Sequence, residues 1–128
     1  MSSILMNGYV FVEKKGAPRR HLARVGVCSS FTCRLRGLMF RRRLSQQDGL
    51  LLVGNRDSRL DAAIHMLFVP FDLAVFWISS KMEIVDKVLA RRWRPFYIPT
   101  RAARFILEVH PDLLARYETG QEVEFVNA

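Results

Sequence analysis

Apolar and polar positions alternate with a period of two along much of this chain, the spacing that sends successive side chains to opposite faces of a strand. The pattern is cleanest at 105–109, where Phe105, Leu107 and Val109 fall on one face and Ile106 and Glu108 on the other, with His110 continuing the second set. Residues 21–27 alternate in the same way, 122–126 reads as a last strand with Val123 and Phe125 inward, 9–12 is a short β-type run, and 50–53 reads as a buried strand. Residues 64–68 and 73–78 differ, being apolar on both faces and separated by Pro70, which has no amide to give a central ladder. The run 73–78 predicts a strand covered on both sides. After the turn Ser79-Ser80-Lys81, residues 83–89 return as its hairpin partner.

Polar stretches at 54–61 and 91–100 read as loops, the second broken by Pro95 and Pro99. Two short helices carry their own signals. Ser29 or Ser30 can cap the first, Phe31 and Leu35 share a face, and Gly37 supplies its end. Pro111 suits the first turn of a second helix through Tyr117, closed by Gly120. The expected fold class is α+β, a mainly antiparallel sheet of about seven strands with two short helices. The 128 residues make a single domain, long enough to bury roughly two-thirds of its unfolded surface.

Charge adds a possible class of partner. Twenty basic residues against twelve acidic ones give a net charge of +8. A polyanion such as nucleic acid, phosphate or acidic polysaccharide is the functional reading, and a solvated basic surface is the plain one. Cys28 and Cys33 stand at C-x4-C, neither a redox C-x-x-C nor half of a zinc site, so reduced thiols in a cytoplasmic protein are expected. The first fifteen residues lack the basic and apolar regions of a signal peptide. The apolar stretch 62–78 is too short for a membrane span and carries His65, Pro70 and Asp72, so no transmembrane segment is expected.

Three segments in order carry a family resemblance: RGLMFRRRL at 36–44, IHMLFVPFDLAVFWI at 64–78, and RFILEVHP at 104–111. Together they resemble the domain of unknown function 192 family, over roughly residues 25–125. The resemblance implies a compact, partly closed sheet with a short helix packed near each end, and assigns no reaction. Its motifs match here at His65, Asp72 and Glu108, while His110 lies outside them.

His65 with Asp72 and Glu108 is the weak catalytic candidate, since a carboxylate can orient a histidine as a general base. No nucleophile accompanies them and no G-x-S-x-G elbow occurs. A structural histidine–carboxylate hydrogen bond is the plain reading. No metal site is expected, because His21, His65, His110, Cys28, Cys33, Asp72 and Glu108 lack ligand spacing. Phosphate-cradling glycine loops are absent, and no cofactor is expected. Arg34, Arg36, Arg41, Arg42 and Arg43 form a basic cluster with a structural reading, a polyanion contact through Arg41–Arg43 being the alternative.

The loop at 91–104 combines Arg91, Arg92, Arg94, Arg101 and Arg104 with Trp93, Phe96 and Tyr97. Guanidinium groups fork onto phosphate or carboxylate, and rings stack on bases or sugars. The sequence thus suggests a monomeric binding module for an anionic ligand, through Arg91, Arg92, Trp93, Arg94, Tyr97 and Arg101 with His65 and Asp72 nearby. The alternatives are a small hydrolase or isomerase using His65 as base, or a protein-interaction domain that presents the loop aromatics.

Overall fold

The computed structural model describes residues 8–16, 21–30, 33, 38 and 49–127. Its strands are β1 (Tyr9–Lys14), β2 (His21–Cys28), β3 (Gly49–Ser58), β4 (Leu73–Ile78), β5 (Ile84–Ala90), β6 (Ala103–Val109) and β7 (Val123–Asn127). They form one sheet in the order β5-β4-β6-β3-β2-β1-β7. Neighbours are antiparallel, except that β2 and β3 run parallel.

The sheet curls into a half-barrel, and its two edge strands meet at one end. Glu83 bridges Glu122, the Ile84 amide donates to the Gln121 carbonyl at 2.9 Å, and the Val123 amide donates to Met82 at 2.9 Å. Alternation divides each strand between two cores. Val10, Val12, Val25, Leu51, Phe76, Phe105, Leu107 and Phe125 point into the curl. A six-residue 3-10 helix, Pro111–Arg116, packs Leu113 and Tyr117 against them. Tyr117 spans the interior, its ring edge-on to Phe76 at 5.1 Å and its hydroxyl donating to the Val12 carbonyl at 3.1 Å. β4 and β1 are not neighbours in the sheet, so this contact ties opposite walls together.

The other face carries Leu52, Val75, Trp77 and Ile106, covered by Ala62, Ile64, Met66, Val69 and Leu38. Trp77 donates its indole N–H to the Ala62 carbonyl at 2.7 Å, fastening this covering segment to the sheet. All six residues of β4 are buried, as expected for a strand sandwiched between the two cores.

Several expectations are corrected. The fold is not α+β with two helices: among the described residues 51% are strand, 7% are helical, and no helix reaches seven residues. Pro111 and the capping His110 do start a helical turn, but it ends as 3-10 at Arg116. Start and stop residues serve either helix type, and six residues offer no long apolar stripe to stabilise an α-helix. The first expected helix falls outside the described residues, apart from a Cys33 amide donating to Ser30 Oγ at 3.2 Å.

The thiols are not free. Cys28 and Cys33 form a disulfide, with Cα atoms 5.6 Å apart, inside the range a bridge requires. Spacing alone cannot reveal that approach. The polar run after Val53 is not all loop either, because β3 continues to Ser58. Arg104 Nε donates to the Gly54 carbonyl at 3.0 Å. A Cβ on Gly54 would lie 2.8 Å from the Arg104 carbonyl, so only glycine lets these strands run so close. Residues 64–68 do not form a strand of the sheet; Ile64 makes an isolated bridge to Tyr97 instead. Among the described residues, no helix is long and apolar enough to cross a membrane.

Candidate functional site

The segment 64–69 and the loop 91–98 lie against each other as a short ribbon outside the main sheet. Ile64 and Tyr97 exchange amide–carbonyl bonds, each at 2.9 Å. The Met66 amide donates to Arg94 at 2.9 Å and the Trp93 amide to Met66 at 3.0 Å. Buried Ile64, Met66 and Val69 anchor the ribbon on the outer core, so the intervening residues face outward.

Two outward residues, one on each side of the ribbon, have unusual backbones. Phe68 has φ 60° and Trp93 has φ 64°. For residues this bulky the left-handed region is a strained conformation, with a typical cost on the order of 1–3 kcal/mol. Both side chains remain about half exposed, at 47% and 52%. Their rings meet edge to face with centroids 5.5 Å apart. Leu67 and Phe96 are also exposed. A left-handed Phe or Trp leaves no mark in the hydrophobic pattern, so sequence reasoning passed over Phe68 altogether.

Asp72 fixes the start of the loop. It accepts from the Arg92 backbone amide at 2.9 Å, from Arg92 Nε at 3.3 Å and from an Arg91 terminal nitrogen at 3.3 Å. The Arg92 amide above all, helped by the two guanidinium groups and opposed by partial burial, holds the Asp72 carboxyl below the usual carboxylate range. Each guanidinium uses one nitrogen on Asp72 and turns the rest of its fork to solvent, the side chains being 64% and 60% exposed. Tyr97 closes the loop by accepting the Arg91 amide on its hydroxyl at 2.8 Å. Arg94 is exposed, with its guanidinium carbon 5.9 Å from the Tyr97 ring centre and no ion pair to a described residue. Arg101 sits 3.9 Å from Glu83, a loose surface pair.

The other candidates are placed apart. His65 Nδ1 accepts from the Leu67 amide at 3.3 Å. Among the described residues no hydrogen bond joins His65 to Asp72, whose oxygens are taken by Arg91 and Arg92. His110 accepts from the Asp112 amide at 3.1 Å and so caps the 3-10 helix. Glu108 sits on β6 between Leu50 and Val75, facing the outer core at 5% exposure. Among the described residues its Oε1 has no hydrogen-bond partner, and burial pushes its carboxyl up from 4.5 to about 7. Among the described residues, no three His, Cys, Asp or Glu side chains stand close enough together to hold a metal ion. The cluster Arg34, Arg36, Arg41, Arg42 and Arg43 lies outside the described residues.

The arrangement is therefore a hydrogen-bonded aromatic ribbon with two left-handed residues and three exposed arginines beside it. It can offer hydrogen-bond forks and flat apolar faces to a ligand. Among the described residues no hydrogen bond joins His65 to a carboxylate, and the histidine–carboxylate contact that does form, His110 Nδ1 to Asp112 at 3.6 Å, lies at the 3-10 helix.

Known proteins place this fold. In a crystal structure, a protein of unknown function from Novosphingobium aromaticivorans superposes with a TM-score of 0.79 at 22% identity, over 91% of this chain and 84% of that one. A proposed transcription regulator from Sinorhizobium meliloti matches equally well, with a TM-score of 0.79 at 20% identity, over 91% and 93% of the two chains. These identities speak to fold alone. The UPF0127 protein of Thermococcus gammatolerans is 38% identical over 84 residues, which are 66% of this chain and 53% of that protein. That of Thermococcus kodakarensis is 35% identical over 98 residues, 77% of this chain and 60% of that protein. The chain thus spans between half and two-thirds of the length of these relatives. The family model described as Uncharacterized ACR, DUF192, matches residues 10–125, nearly the whole of the sheet from β1 to β7, and the chain belongs to that family.

Proposed function

We propose that this protein is a binding module for an anionic ligand, held at the 64–69 and 91–98 ribbon. The observation that carries this reading is the pair of left-handed aromatics, Phe68 and Trp93, kept half exposed beside the arginines at 91, 92 and 94. Strain of this kind persists only where the surrounding structure enforces it, and it concentrates at ligand contacts. The Asp72 anchor pre-sets Arg91 and Arg92, which lowers the ordering cost when an anion arrives. Arg91, Arg92 and Arg94 against Asp72 leave the ribbon with an excess of positive charge.

A salt titration tests the reading. Binding to heparin or to a nucleic acid should weaken steeply as salt rises, with a slope that counts the anionic groups neutralised. Replacing Arg91, Arg92 and Arg94 with glutamine should flatten that slope. An unchanged slope in the triple variant would place the contact elsewhere on the basic surface, and no salt-dependent binding at all would end the proposal.

A further inference from the structure

The anionic-ligand reading leaves open what carries the anion, and the apolar side chains set among the arginines narrow that. We infer that the ribbon docks on an anionic bilayer surface, with Leu67, Trp93 and Phe96 entering the headgroup boundary while Arg91, Arg92 and Arg94 hold lipid phosphates. The inference rests on the reading above and names the source of its anion.

The ribbon has two sides of opposite character. Ile64, Met66 and Val69 are buried on the outer core. Leu67, Trp93 and Phe96 are left in water, exposed at 41%, 52% and 58%. Backbone pairing keeps these three near one another. The Trp93 amide donates to the carbonyl of Met66, the residue before Leu67, and Tyr97, the residue after Phe96, exchanges bonds with Ile64. Leaving large apolar side chains in water forgoes the gain that burying them would bring, so three on one short ribbon call for something to cover them.

Charge says what covers them. Arg92 and Arg94 flank Trp93 in the chain, and Arg91, Arg92 and Arg94 are all exposed. Three guanidinium groups meet the one carboxylate of Asp72, so two positive charges remain in excess. Tryptophan and other apolar side chains settle at the boundary between headgroups and acyl chains, and arginine there meets the phosphates. A free phosphate or a sulfated polysaccharide would engage the arginines and leave Leu67 and Phe96 in water. Nucleic acid would find a flat face on the rings but none on Leu67. A protein partner would need a matched surface of about 800 Å² on each side, whereas a bilayer accepts a small protrusion of any outline. A few apolar side chains and two net charges suit a reversible contact with the surface rather than a span.

The experiment mixes the full chain with vesicles of phosphatidylcholine, with vesicles of equal parts phosphatidylcholine and phosphatidylglycerol, with soluble glycerol phosphate, with a thymidine dodecamer and with heparin. Trp77 is buried and Trp93 is exposed, so a change in tryptophan fluorescence reports on Trp93, with Trp93→Phe as the control. The expected result is binding to the anionic vesicles, at least tenfold weaker binding to phosphatidylcholine alone, a blue shift of Trp93 and its quenching by brominated acyl chains. Leu67→Ser and Phe96→Ser alter exposed side chains, so thermal unfolding should match the wild type. Each should lose on the order of tenfold in vesicle affinity and bind heparin as before. Heparin binding without vesicle binding overturns the bilayer inference while an anion site stands. Vesicle binding that leaves Trp93 unshifted, or that both serine variants retain in full, also overturns it, because charge alone then suffices. Tighter binding to glycerol phosphate or to the dodecamer than to the anionic vesicles reassigns the site to a free phosphate or to nucleic acid. Absence of salt-dependent binding to every probe removes the anion site as well.

Discussion

Burial with no partner for Oε1 among the described residues makes Glu108 a residue through which pH acts on this fold. Its carboxyl moves from 4.5 to about 7 because burial strips water from the ionised form, and among the described residues no donor meets Oε1. The folded state therefore prefers the protonated group. Its contribution is fully present below about pH 4.5, declines as pH rises, and is gone above about 7. The size of the change is about 3 kcal/mol, from the conversion of a pKa shift to free energy. Denaturant unfolding of the wild type and Glu108→Gln across pH 4 to 8 isolates it. The glutamine variant should gain on the wild type by about that amount between pH 4.5 and 7.5, and a difference that stays flat would mean Glu108 is not ionising inside the fold. The sequence placed Glu108 on the face opposite Phe105, Leu107 and Val109, and the cores divide that way. It did not reveal that Oε1 would meet no donor among the described residues, because that depends on which strands lie alongside.

At the level of elements, strands were the legible part and their surroundings were not. Period-two alternation located β6, and a two-faced apolar run located β4 with its hairpin partner β5. The run 64–68 has the same apolar character, yet it leaves the sheet to pair with 91–98, and Phe68 turns left-handed. Apolarity reports burial, and a covering segment buries as well as a strand does. The expected pairing of His65 with Asp72 failed for a similar reason. Closeness along the chain lost to the backbone amide of Arg92, twenty residues away. That amide gives Asp72 an element-scale role as the clamp of the ribbon. Asp72→Ala should speed hydrogen exchange at the Arg92 amide, and at the Met66 and Trp93 amides that hold the ribbon, while β4 amides stay protected. Unchanged exchange at Arg92 would show that Tyr97 and the ribbon ladder suffice without the carboxylate.

For the whole molecule, the curl sets which ends meet. β1 and β7 are antiparallel neighbours whose register puts Val10 opposite Asn127 and Lys14 opposite Val123. No local pattern in the sequence could pair strands so far apart, nor set β2 parallel to β3. Because ladder hydrogen bonds lie across the strands, the direction of a mechanical load decides how many share it. Tension applied at Tyr9 and Asn127 acts on the same end of the β1–β7 ladder and peels the bonds apart in succession, like a zip. Tension applied at Lys14 and Asn127 acts on opposite ends and strains the whole ladder in shear. In single-molecule stretching the first attachment should yield at clearly lower force than the second, and equal forces would mean that β1–β7 is not where rupture begins. The same ladder is thus expected to be weak when loaded through Tyr9 and Asn127 and strong when loaded through Lys14 and Asn127.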